Sequence, residues 1–187
     1  MRQVVKRDRM MAALAAMLVA VGRAMAQNEE QSQEQAPKRR IVVSIPDCKL
    51  ALIEDGKILK IYPTAVGADA TPSPTGTFSV IRRVPNPTWY HEGKVVPPGK
   101  NNPVGSRWIG LSEKGYGIHG TNSPRSIGHN VSHGCIRMLN RDVEQLFELV
   151  KVGDVVELHG EVNDELARIF HPQTEPVLAA AAGGGAQ

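Results

Sequence analysis

Lys49-Leu50-Ala51-Leu52-Ile53-Glu54, then Asp55-Gly56, then Lys57-Ile58-Leu59-Lys60-Ile61-Tyr62: two apolar runs flank a two-residue Asp-Gly. The arrangement reads as a β-hairpin, because a type I′ turn needs φ > 0 at both central residues and Asp-Gly tolerates it. Just upstream, Ile41-Val42-Val43-Ser44-Ile45 is a β-branched run that stops at Pro46-Asp47. The domain therefore opens as a strand meander.

Working outward, Gly67 to Gly76 carries Pro72 and Pro74 and fits a long loop, after which Thr77 to Val84 reads as another strand. Pro85 to Arg107 holds five prolines, which argues against regular structure, and a loop that long in a compact domain is usually functional. Trp108 to Leu111, Gly117 to His119 and Val155 to Leu158 read as short strands. One helix is expected over about 140–151. Asn140 is its expected N-cap, Val143, Leu146, Phe147 and Val150 form one apolar stripe, and Gly153 can end the turn. The expected fold is mainly β, over residues 40–160, with that one packed α-helix. The tail 161–187 holds a short helical stretch, Asp164 to Phe170, and is expected to be disordered after about 172, ending in an Ala/Gly run. There is no internal repeat.

The first 26 residues have the layout of a secretory signal: basic Arg2, Lys6, Arg7 and Arg9, the apolar run Met10 to Gly22, and Ala24-Met25-Ala26 as cleavage site. Thirteen apolar residues fall short of the roughly 20 that a spanning helix needs, so stable membrane insertion is not expected. A polar spacer follows at 27–39. The exported product belongs in the periplasm or cell wall. Its charge also changes: the whole chain has a formal net charge of +3, but without the signal 17 basic and 18 acidic residues remain. That balance gives no reason to propose a nucleic-acid partner.

Two cysteines, Cys48 and Cys135, in an exported chain raise the question of a disulfide. The neighbours of Cys135 point elsewhere. The chain runs His119-Gly120-Thr121-Asn122, then nine residues, then Ser132-His133-Gly134-Cys135-Ile136-Arg137. A thiol attacks well only as thiolate, and a cysteine with a pKa of about 8.5 supplies a few per cent of it at neutral pH. It needs a base, and His119, His129 or His133 can each supply one if folding brings it close. Gly134 leaves room for backbone N–H groups to meet an oxyanion. Arg137, two residues on, would share a side with Cys135 in an extended segment and could hold a carboxylate. The same histidines and thiol could bind zinc, but their spacing matches no common zinc pattern, so neither metal nor cofactor is expected. Trp89 and Tyr90 suit a groove or a core equally, and Trp108 reads as core. His133 reads as a group that bonds the backbone. His91, His129, His159 and His171 read as ordinary polar residues.

His-Gly-Thr-Asn followed by Ser-His-Gly-Cys-Ile-Arg resembles the signature of the L,D-transpeptidase catalytic domain, also called YkuD. The similarity spans residues 40 to 159, including Thr71-Pro72-Ser73-Pro74-Thr75-Gly76-Thr77-Phe78, Asn86-Pro87-Thr88-Trp89-Tyr90 and Gly115-Tyr116-Gly117-Ile118-His119. The stretch between the motif halves is at the short end for the family. The resemblance implies a β-sandwich and an acyl-transfer reaction on peptidoglycan stem peptides, with Cys135 as nucleophile and His119 as proton acceptor and donor. It further implies that Gly120 orients His119, that His133 and Gly134 supply oxyanion-hole backbone, and that Arg137, Tyr116, Trp89 and Ser132 meet substrate. Carbapenems are the implied inhibitors, and a monomer is expected. A carboxypeptidase or cross-link hydrolase would use the same cysteine. A non-catalytic wall-binding module should have lost Cys135 or His119.

Overall fold

The computed structural model describes residues 38–172 of the 187-residue chain. The expected signal, nearly all of the spacer and the Ala/Gly end lie outside the described residues.

The opening hairpin is present, with β1 (Arg39–Ser44), β2 (Lys49–Glu54) and β3 (Lys57–Pro63) in antiparallel register. Asp55 and Gly56 sit at φ 48° and 78°, the left-handed pair a type I′ turn requires. The remaining strands are β4 (Val66–Gly67), β5 (Gly76–Pro85), β6 (Trp89–His91), β7 (Lys94–Val96), β8 (Arg107–Leu111), β9 (Gly117–His119), β10 (Asn130–Ser132), β11 (Ile136–Arg137) and β12 (Val155–His159). Eight of them form one curled, mixed sheet in the order β11-β9-β8-β5-β12-β1-β2-β3. The mainly-β expectation holds.

The curl follows from what the core contains. Ile41, Val43, Leu50 and Leu52 from one end of the sheet share a buried cluster with Ile109, Ile118 and Ile136 from the other. Distant strands can meet only if the sheet wraps around something, and α1 (Asn140–Leu149) fills the space with Val143, Leu146 and Phe147. The opposite face of β1 and β2 is covered by α2 (Asp164–Phe170), whose Leu166, Ile169 and Phe170 pack on Val42, Ala51 and Ile53. Both faces of β1 and β2 are therefore buried, which explains why their sequences are continuous apolar runs rather than alternating ones. Asn163 caps α2, its side chain accepting from the Leu166 N–H at 2.9 Å.

Three local expectations need correction. The Pro85–Arg107 stretch is not irregular throughout, because β6 and β7 pair as a small hairpin about Glu92-Gly93, both at positive φ. Its prolines lie outside those strands, and buried Asn102 ties the returning loop together by donating to the carbonyls of Pro87, Val96 and Pro97. Asn140 is not the cap of α1. That place falls to Leu139, which makes no side-chain cap bond, and the Asn140 side chain reaches away to other backbone. Nor does Gly153 end the helix, since Val150 already has extended backbone and Gly153 turns the chain toward β12.

Candidate active site

Period-two alternation builds the site. Ile109 of β8, Ile118 of β9 and Ile136 of β11 lie side by side in register and point into the core. The next residues along, Trp108, His119 and Arg137, are also in register and must point to the other face. One row of isoleucines thus fixes one row of functional side chains. Together with Cys135, just before β11, the functional row lines a cleft of about 550 Å³. Trp89, His91 and Val104 from the 86–107 segment also line it, as do Ser132 and His133.

The Trp108 indole lies across two glycines. A Cβ at Gly117 would come within 2.6 Å of the ring, and one at Gly110 within 3.0 Å. With that space left free, the indole stacks on the His119 imidazole at 5.4 Å between centroids and 17° between planes. His119 is 5% exposed. Its Nδ1 lies 2.6 Å from the Gly120 carbonyl oxygen, an atom that only accepts, so Nδ1 carries the hydrogen and Nε2 holds a free lone pair. Burial pushes the His119 pKa down to about 4, the Arg137 charge pushes the same way, and the bond to Gly120 opposes both. At neutral pH this imidazole is neutral and oriented, with its Nε2 lone pair available.

The Cys135 thiol is held above the ordinary thiol range by burial, with a backbone hydrogen bond from Gly117 and the Arg137 charge pulling the other way. Its Sγ lies 3.6 Å from the Gly115 carbonyl. The resting pair is therefore neutral thiol and neutral imidazole. Cys48 and Cys135 are both free, and Cys48 is buried with Sγ 3.2 Å from Asn130 Oδ1. The disulfide reading is excluded.

Several expected contacts take other forms. Ser132 Oγ accepts from the Gly134 N–H at 3.0 Å and donates to the Cys135 carbonyl at 2.6 Å, so it braces the Cys135 loop from within. That leaves the His133 and Cys135 N–H groups without a partner among the described residues, while the Gly134 N–H is engaged. Tyr116 packs against Gly134, where φ is +105° and a Cβ would meet the ring at 2.5 Å. It supports the loop and does not line the cleft. His133 is exposed and makes no hydrogen bond to backbone among the described residues. His129 is exposed too, and does not line the cleft. Sequence reasoning missed Trp108, read as core, and His91, read as ordinary. The signal for Trp108 was its register opposite His119, which pairing alone reveals. Among the described residues no cluster suits a metal ion.

A buried, oriented imidazole and a free cysteine line one aromatic-walled cleft on a curled sheet, the arrangement that the resemblance in the sequence implies. The L,D-transpeptidase catalytic domain (YkuD) profile matches residues 38–158, and the chain belongs to that family. It is 44% identical over 119 residues to the protein named as the L,D-transpeptidase YkuD of Bacillus licheniformis, covering 64% of each chain. It is 43% identical to the Bacillus subtilis YkuD, covering 64% of this chain and 65% of that one. The chain thus spans a little under two thirds of the length of these curated relatives. A solved L,D-transpeptidase, LdtMt1 in complex with imipenem, superposes with a TM-score of 0.57 at 22% identity, over 66% of this chain and 60% of that one. At that identity the likeness shows the fold.

Proposed function

We propose that this chain is an exported peptidoglycan L,D-transpeptidase that works through a thioester on Cys135. The observation that carries the reading is the neutral His119, locked with Nε2 free, sharing one cleft with the Cys135 thiol. Sγ attacks the stem-peptide carbonyl before the terminal D-alanine as Nε2 takes the thiol proton. The oxyanion is received by the free N–H groups of His133 and Cys135. Collapse breaks the C–N bond, His119 returns its proton to the departing amine, and a thioester remains. An amine from a second stem then attacks the thioester, transfers a proton to His119 and releases the Cys135 thiol. Arg137, in none of the ion pairs among the described residues, is the cation for a substrate carboxylate.

Export rests on the amino-terminal pattern, and no helix among the described residues is long and apolar enough to cross a membrane. The imipenem complex of the fold relative supports carbapenems as inhibitors here. Incubation of the purified protein with disaccharide tetrapeptides, read by mass spectrometry, tests the reading. Stem dimers joined through third residues are expected. Shortened tripeptides without dimers would instead assign a carboxypeptidase.

A further inference from the structure

We infer that Asn140 is a positioning residue that fixes the tautomer of His119 by gripping the Gly120–Thr121 peptide unit. The inference rests on the reading of His119 as the base. That peptide unit presents two groups, the Gly120 carbonyl and the Thr121 N–H. The carbonyl accepts from His119 Nδ1 at 2.6 Å. On the other side of the same plane, the Thr121 N–H donates to Asn140 Oδ1 at 3.1 Å. The Asn140 Nδ2 donates in turn to the Thr121 carbonyl at 3.1 Å, so the amide holds Thr121 from both ends. A peptide plane cannot flip while its N–H is held, and the carbonyl facing His119 is held with it. Accepting from the N–H also polarises the unit and strengthens the carbonyl as an acceptor.

The neighbouring backbone is shaped around this amide. A Cβ at either Gly105 or Gly120 would collide with Asn140 Oδ1, and Gly105 also has φ +63°. The preceding unit is fastened independently, by Gly120 N–H to the Arg107 carbonyl and Met138 N–H to the His119 carbonyl. The Gly120–Thr121 unit depends on Asn140. Asn140 Oδ1 also accepts from the Ser106 N–H at 3.2 Å, which ties the same grip to the end of the 86–107 segment.

The test compares wild type with Asn140→Leu, which has similar bulk and no acceptor, and Asn140→Asp, which keeps the accepting oxygen. Nitrogen-15 histidine spectra report the tautomer directly, and Cys135 acylation by imipenem reports the rate. The wild type should show His119 as the Nδ1–H form alone. Asn140→Leu should show both tautomers and lose acylation rate in proportion to the Nδ1–H fraction lost, roughly two- to tenfold where the Nε2–H form holds half to nine tenths, with binding of imipenem little changed. Asn140→Asp should restore the single tautomer. A folded Asn140→Leu protein with the wild-type tautomer and rate would overturn the inference. If Asn140→Leu does not fold, Asn140→Asp decides: a mixed tautomer there, in a folded protein, also overturns it. The tautomer measurement does not depend on wall chemistry. A wild type that makes no stem dimers but responds to Asn140 as described would refute the proposed function and leave this inference standing.

Discussion

Trp108 covers the face of His119, ring on ring at 5.4 Å. Burial is the main reason the imidazole titrates near 4 instead of its ordinary value of 6.5, and the stacked indole is part of that cover. Trp108→Leu should therefore admit water and raise the His119 pKa toward 6.5. The acid limb of Cys135 acylation should move up with it, by about one unit or more. A pH titration of the His119 ring signals checks this. An unmoved pKa in the variant would mean that the sheet and Arg137, not the indole, set the value.

The protonation states of the pair predict how activity and alkylation split. Because burial holds the Cys135 thiol high, little thiolate exists at neutral pH, and the reaction there depends on proton transfer to His119. Acylation should rise with pH through about 4, as His119 loses its proton and becomes a base. Alkylation of Cys135 by iodoacetamide should keep rising above the ordinary thiol range. His119→Ala should cost about 10²- to 10⁴-fold in acylation at pH 7. That deficit should shrink at high pH, where the thiolate forms unaided. His133→Ala, at an exposed side chain without backbone bonds, should cost far less.

The same buried histidine makes the fold acid-sensitive. Its folded pKa of about 4 lies below the ordinary 6.5, so between those values the unfolded chain binds the proton and the folded chain resists it. Stability is retained above pH 6.5 and lost as pH falls toward 4. At about 1.4 kcal/mol per pH unit, His119 alone takes away about 3 kcal/mol over that window. Urea unfolding at pH 7 and pH 4 should show the loss, and His119→Gln should flatten it. Equal pH slopes in the two proteins would remove His119 as the cause.

Much of this was legible in the sequence. Asp55-Gly56 between apolar runs announced a hairpin because few other residues accept two positive φ angles. The two halves of the motif named Cys135 and His119, which the fold brings to one cleft. Strands β4, β10 and β11 were not read because two or three residues carry no periodicity of their own; β9, equally short, was read only because it leads into the His119 motif. The same limit hid Trp108 and Asn140. An isolated tryptophan in an apolar strand looks like core, and an asparagine before a helix looks like a cap. Only β8–β9 register turns the first toward His119, and only the Ser106 and Thr121 backbone, reached through the space left by Gly105 and Gly120, draws the second away from its own helix.

Arg137 provides the clearest separation of binding from chemistry. It follows Cys135 by two residues, lies in register with His119, and faces the cleft. Its backbone N–H and carbonyl are both bonded to Ala65, so replacing the side chain leaves the strand anchored. A charged hydrogen bond to a substrate carboxylate is worth about 1.5 to 3 kcal/mol. Arg137→Ala should accordingly lower kcat/KM for tetrapeptide stems by about 10- to 100-fold. Arg137→Lys should fall between, since it keeps the charge but loses the two-pronged geometry. The Arg137 charge also lowers the pKa of both His119 and Cys135, so both should rise in Arg137→Ala. The alkylation profile with neutral iodoacetamide should shift to higher pH while its plateau rate holds. A fall in that plateau matching the fall with stems would show that Arg137 supports the nucleophile itself, and the carboxylate role would then pass to another group in the cleft.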